Sequence, residues 1–405
     1  MWLAAGPWRN GRAGPRRRAW ALAAVLLGYC AALGQPAFVK LDEHPGPAPE
    51  SSTRRFPFVV QESQTKLYLD VKATLTAGQL TLRILDPSGA VLREDSTSGS
   101  LTVEASVPAQ TSGTFQLEAV TAGAVGKWKA QVCPLLPSSA FRLNLITGPA
   151  MILVALASVL YWRARAKTFW RWFWIGAGVW TVGVALKVGF ALLANGPILQ
   201  GLKQSLPAAA YSIASAVYIG LLTGVFEIGV TLAAALIWRR MAADAPRAVA
   251  VGVGAGAFEA LLLGLGGVVL AVLLVSGTAP DVLVAQGSQV AAVTPLVWLT
   301  GPIERVIAIL CHTASRALTL LTVATGRWRY FWWGFVLMTV LDGIAGLFLL
   351  SGQVTKIPVW WIELAIVPAA VVSVPIIRWC VTHWPAPAAP PQAAAPEPAQ
   401  LQPSA

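Results

Sequence analysis

Glu304, Arg305, His312 and Arg316 stand within the run 301–316, which is otherwise apolar enough to cross a bilayer. A charge at the bilayer centre costs about 2.5–3.5 kcal/mol even on the lenient insertion scale. A chain keeps such residues where they pair, line a wet cavity or bind something. Glu227, Glu259, Asp342 and Glu363 stand in other apolar segments, and Lys187 in a further one. Glu304 and His312 are two turns apart and lie within about 80° of each other on one helix. Arg305 and His312, seven residues apart, are nearly eclipsed.

Two chemistries suit this set. One is a carboxylate–histidine cluster drawn from four helices, working as a hydrolytic metal site or a proton relay. Glu227, Glu259 and Glu304 are then the catalytic carboxylates, and His312 and Asp342 the ligands of a metal, with zinc the candidate. The other is a set of buried ion pairs that fixes helix packing, with Lys187, Arg305 and Arg316 as the cationic partners. A catalytic zinc usually takes three protein ligands, most often including two or three histidines. The apolar spans contain a single histidine, His312, which weighs toward the ion pairs.

The elements that position these residues are read from composition and period. Of 405 residues, 56% are hydrophobic and 12% charged, and the mean hydropathy is +0.63. That charged fraction is about half that of a soluble domain, so the chain is a polytopic membrane protein. The net charge of +12 does not signal nucleic-acid binding. No basic stripe interleaved with aromatics runs along a soluble face, and the bases flank apolar segments as the positive-inside rule describes. Four scattered cysteines without a CxxC imply no disulfide framework.

Seven spans are expected at roughly 143–162, 171–195, 208–238, 248–276, 291–325, 331–351 and 359–378. Pro295 and Pro302 predict a kink or a late helix start in the fifth. Arg163, Arg165, Lys167 and Arg171 follow the first span, Arg239, Arg240 and Arg247 the third, and Arg327 and Arg329 the fifth. These loops read as cytoplasmic, with the C-terminus inside. Trp162, Trp170, Trp172, Trp174, Trp328, Trp332, Trp333, Trp360 and Trp361 fall at span ends as an interfacial belt. Gly252-Val-Gly254-Ala-Gly256 has no preceding strand and no Lys-Ser/Thr, so it reads as a close helix-packing surface rather than a phosphate loop.

Before the spans, residues 1–34 read as a signal peptide or signal anchor: a basic region followed by the short apolar run Ala19–Leu33. Residues 35–55 read as a linker, and 385–405, rich in Pro, Ala and Gln, as a disordered cytoplasmic tail. Between them the period changes to two. Leu67, Leu69 and Val71 alternate with polar neighbours, as do Leu80, Leu82 and Ile84, then Leu101 to Val107, Phe115 to Ala119, and Trp128 to Val132. With a turn at Asp86-Pro87-Ser88-Gly89, this predicts an extracytoplasmic antiparallel β-sandwich over 56–135, a binding or spacing module rather than an active site.

The order of the helical motifs resembles the YhfC family of membrane proteins, grouped with the CAAX-processing and bacteriocin-processing intramembrane metalloproteases and the scaffold subunit of gamma-secretase. The matching pieces are Phe173-Trp-Ile-Gly176-Ala-Gly-Val-Trp180 with Lys187, Gly224-Val-Phe-Glu227, the glycine-rich run ending in Glu259, Glu304-Arg305 with Ala308 and His312, and Asp342. The resemblance covers residues 143–380. It implies a seven-helix bundle and a metal-dependent peptidase site. It also implies histidines where this chain has Ala255 and Met338, and an arginine within a turn of Glu227, where Ile228 follows instead. With those ligands lost, the expectation is a degenerate, scaffolding member in the cell (inner or cytoplasmic) membrane that binds a membrane protein or a lipid-linked peptide. An active intramembrane metallopeptidase and an ion-coupled transporter are the alternatives.

Overall fold

The computed structural model describes residues 39–43 and 50–385. The expected targeting segment 1–34, residues 35–38 and 44–49 of the expected linker, and all but the first residue of the expected tail 385–405 lie outside the described residues. The chain divides at Pro137 into a β unit and a helical unit.

The β unit has six strands: β1 (Val39–Glu43), β2 (Glu50–Val60), β3 (Lys66–Leu85), β4 (Val91–Thr97), β5 (Ser100–Pro108) and β6 (Gly113–Pro134). β1 and the start of β2 occupy the stretch expected to be a linker. All pairings are antiparallel and belong to one sheet. The alternating segments expected as separate strands at 67–71 and 80–84 are halves of β3, and those at 115–119 and 128–132 are halves of β6. A register break at Leu75–Gln79 divides the β3–β6 ladder. One half is completed by β2 and β4, the other by β1 and β5. Glycine is required at the break. Gly78 has φ +76°, and a Cβ there would sit 2.1 Å from the Gly123 carbonyl oxygen. Gly126 has φ +142°, and a Cβ there would sit 2.3 Å from the Thr74 carbonyl oxygen.

The antiparallel β layout is as expected, and its strands form one hydrogen-bonded sheet whose halves share a core. Phe58, Leu67, Leu69, Leu80, Ile84, Phe115 and Leu117 are fully buried there in a single cluster. The Asp86–Gly89 turn forms as read. Oδ1 of Asp86 accepts from the Ser88 and Ala90 amides, and Gly89 takes φ +87°.

The helical unit contains α1 (Asn144–Ala166), α2 (Trp170–Ser205), α3 (Ala208–Ile237), α4 (Ala245–Ser276), α5 (Asp281–Val293), α6 (Thr300–Thr325), α7 (Arg329–Leu350) and α8 (Trp360–Thr382). Seven of the described helices, all but the short α5, are long and apolar enough to cross a membrane. The fifth expected span breaks at Thr294–Leu299, and its membrane-length helix starts only at Thr300. Pro295 cannot donate into a continuing helix and Pro302 sits in the first turn, where its missing N–H costs nothing.

α6 is the central helix. Buried residues fill 83% of its apolar window, against 17–44% for the others. The glycine-rich run of α4 packs on two sides. A Cβ at Gly254 would lie 2.1 Å from the Phe173 carbonyl of α2, and one at Gly252 2.7 Å from Thr313 Cα of α6. Glycine lets the backbones approach this closely.

Candidate functional site

The intramembrane charges form one connected ladder across α2, α3, α4, α6 and α7. It is positioned by a local departure from α-helix. α3 passes through a π-helical turn at Gly224–Gly229, with Glu227 buried at its centre. Such turns often mark functional sites. Gly183 of α2 lies against the Phe226 carbonyl, where a Cβ would be only 2.6 Å away. One turn later, Lys187 reaches across to Glu227.

From one end, Thr223 donates to Asp342 Oδ2 at 2.5 Å, and Lys187 Nζ lies 3.3 Å from Thr223 Oγ1 and 3.7 Å from that Asp342 oxygen. Lys187 donates to Glu227 Oε1 at 2.6 Å, and Arg316 Nη2 to Glu227 Oε2 at 3.3 Å. Arg316 Nη1 then meets His312 Nδ1 at 2.6 Å. On the far side of the ring, His312 Nε2 lies 2.8 Å from Glu259 Oε2. Arg305 Nη1 donates to Glu259 Oε1 and its Nη2 to Glu304 Oε1, both at 2.5 Å. The ladder's centre is sealed: Glu227, His312, Arg316 and Arg305 are buried, whereas Asp342 and Glu304 at its ends are about a third exposed.

The order assigns the imidazole proton. A guanidinium can only donate, so Nδ1 of His312 accepts from Arg316. The ring hydrogen is then on Nε2, directed at Glu259. Both ring nitrogens are engaged, and each carboxylate in the ladder touches a cation.

The residues read as a site therefore do converge, but as an alternation of acid and base. Lys187, Arg305 and Arg316 each meet a carboxylate. His312 and Asp342 have separate partners, and no hydrogen bond or ion pair joins them. Ala255, where the resemblance implies a histidine, shares a helical stripe with Gly252, Gly256 and Glu259 and is fully buried. Met338 is buried in an apolar cluster with Ile228 and Cys311. Glu363 is buried on α8 and enters no ion pair among the described residues. Sequence reading missed Thr223, which bridges Lys187 and Asp342. Its spacing of four from Glu227 is the signal that could have found it.

A catalytic zinc needs lone pairs aimed at one point and an open position. Here the Nδ1 lone pair of His312 is taken by Arg316, Nε2 faces Glu259, and guanidinium and ammonium groups stand between the carboxylates. No three His, Cys, Asp or Glu residues among those described are grouped to hold an ion. The donor set as arranged does not fit a catalytic metal.

The model of the YhfC intramembrane metalloprotease family matches residues 150–366. The chain belongs to that family. The matched stretch holds every member of the ladder and excludes the β unit. No curated protein matches the chain. Family membership makes zinc plausible for this protein, so the mismatch between family chemistry and donor set is what a functional account must explain.

Proposed function

We propose that this chain is a non-hydrolytic YhfC-family member, a multi-pass membrane module whose bundle binds a membrane-embedded or lipid-linked partner. The observation that carries this reading is the His312 ring, held at both nitrogens by Arg316 and Glu259. Where a peptidase would present a metal and its water, this chain presents a near-neutral alternation of charges. Such a ladder stabilises one helix arrangement and leaves no ligand free for hydrolysis. The buried apolar Ala255 and Met338 agree with that reading.

Glu227, Glu259 and Glu304 act in this account as structural acids rather than as bases or nucleophiles, and Asp342 and His312 as pairing groups rather than metal ligands. The protein lies in the cell (inner or cytoplasmic) membrane, with the β unit outside as a binding or spacing module and the C-terminus in the cytoplasm. The basic loops after α1, α3 and α6 support that orientation.

The competing reading is an active metallopeptidase, favoured by one distance. His312 Nδ1 is also 4.0 Å from Glu227 Oε2, so withdrawal of Arg316 would leave Glu227, His312 and Glu259 as a candidate ligand set. Metal content of the purified protein, measured beside activity on a membrane-anchored peptide, separates the two. Stoichiometric zinc with cleavage supports the peptidase, and neither is expected here.

A further inference from the structure

A second site lies away from the ladder, at the end of the bundle where α2 begins, α3 ends and α4 begins. Three arginines converge there from three separate segments. Arg171 stands on the first turn of α2, Arg240 on the 3-10 turn after α3 and Arg247 on the first turn of α4. With Trp172 and Trp238 they enclose a cavity of about 210 Å³.

Its floor is built. Trp172 is 2% exposed, and its ring lies 5.5 Å from that of Trp238. The guanidinium carbons of Arg171 and Arg247 sit 5.1 and 5.2 Å from the Trp172 ring. Two cations stack on one indole and line the same cavity. The frame is fixed too, since Trp162 of α1 donates to the Pro246 carbonyl at 3.2 Å.

The charge there is not balanced. Among the described residues Asp244 is the single acid in contact, and it already accepts from the Arg247 amide as the α4 N-cap and pairs with Arg247 Nε at 3.0 Å. The Arg171 and Arg240 guanidinium groups meet no carboxylate among the described residues. Arginines that served only to orient the chain in the membrane would have no need to share a cavity. Planar guanidinium groups with free donors suit phosphate oxygens. The location, at the ends of membrane-length helices and flanked by exposed Trp170 and Trp174, is the headgroup level. Basic pockets between membrane helices at that level take anionic lipid headgroups.

We infer that the Arg171–Arg240–Arg247 cavity binds the phosphate of an anionic phospholipid. The test uses the full chain in nanodiscs made from an equimolar mixture of phosphatidylglycerol and phosphatidylcholine. Lipid carried with the protein is read by native mass spectrometry. Wild type should retain phosphatidylglycerol over phosphatidylcholine. Arg171→Gln with Arg240→Gln should lower that preference by about fivefold per arginine. Arg327→Gln with Arg329→Gln, a basic pair at another helix junction, should leave it unchanged. Should the double variant fail to fold, Arg240→Gln alone, on an exposed turn, should show its share of the loss. No preference in wild type, or an equal loss in the control pair, would overturn the assignment. So would glycerol 3-phosphate or inorganic phosphate displacing the lipid at equal concentration, which would mark a site for soluble phosphate.

Discussion

Arg316 donates to Nδ1 of His312 at 2.6 Å from one turn further along α6, and the proposed non-hydrolytic reading rests on this pairing. The contact is local, between residues four apart, and it forms on the most buried helix of the bundle. It fixes the ring between Arg316 and Glu259 and places a cation beside Glu227.

The ladder should behave as a coupled unit. Glu259 is gripped by Arg305 at one oxygen and by His312 at the other. Glu259→Gln should therefore cost about 3–5 kcal/mol, the range for breaking a buried pair. Pairing it with Arg305→Gln should cost less than the two single changes together, by about 0.5–3 kcal/mol. Unfolding in detergent across the four-member cycle measures this. Strict additivity would mean the two side chains do not interact.

Helix approach gives a second, independent expectation. A Cβ at Gly176 would lie 2.0 Å from the Val251 carbonyl oxygen, whereas Gly178 and Gly189 on the same helix face open space. Gly176→Ala should destabilise the bundle by about 1–3 kcal/mol or more, as overpacking does. Gly178→Ala should be neutral or slightly stabilising, because alanine is the better helix former. Equal melting temperatures for the two variants would contradict the α2–α4 packing.

Much of this fold was legible in the sequence, for identifiable reasons. Membrane-length apolar runs announce helices because the bilayer demands them, and period-two alternation announces strands with one buried face. Alternation could not reveal that β3 and β6 run through both halves of the sheet, because the same pattern continues on either side of Gly78. Nor could it reveal strands in 39–55, where Pro and charge dominate. At the site, the charged residues were conspicuous in apolar surroundings, and the near-eclipse of Arg305 and His312 corresponds to their shared hold on Glu259. Which acid meets which base depends on helix rotation and on the π turn at Gly224–Gly229, and neither has a local sequence code. Thr223 was easy to pass over despite its spacing from Glu227, because a threonine in an apolar helix ordinarily bonds its own backbone.

The β unit should fold by itself. Residues 39–137 expressed alone should give a β-rich circular dichroism spectrum and a cooperative urea transition. Its acid sensitivity should trace to Glu118, whose carboxylate accepts from Arg55 Nε at 2.7 Å and from Arg83 at 3.3 Å. The Arg55 hydrogen bond, with Arg83 in support, holds that carboxyl below its ordinary value. The unfolded group titrates near about 4.3. The stability it contributes is thus present above that pH and is lost as pH falls through the lower folded value. Glu118→Gln should lower the urea midpoint at neutral pH and flatten its decline in acid. Parallel curves for wild type and variant would remove Glu118 from the account.

Orientation is open to a direct test. On the proposed reading of the basic loops, the β unit is outside and the C-terminus inside. A reporter active only in the cytoplasm should be silent when fused after Ser138 and active when fused after Ala405. The reverse pattern would invert the whole arrangement.

The most direct test of the central claim is the zinc content of the purified full chain, by elemental mass spectrometry, in wild type and His312→Ala. The non-hydrolytic reading predicts no stoichiometric zinc in either protein and a lower melting temperature for His312→Ala, since Glu259 and Arg316 each lose a partner. One zinc per chain in wild type, absent from a His312→Ala variant that remains folded, would contradict it and make this chain a working metalloprotease.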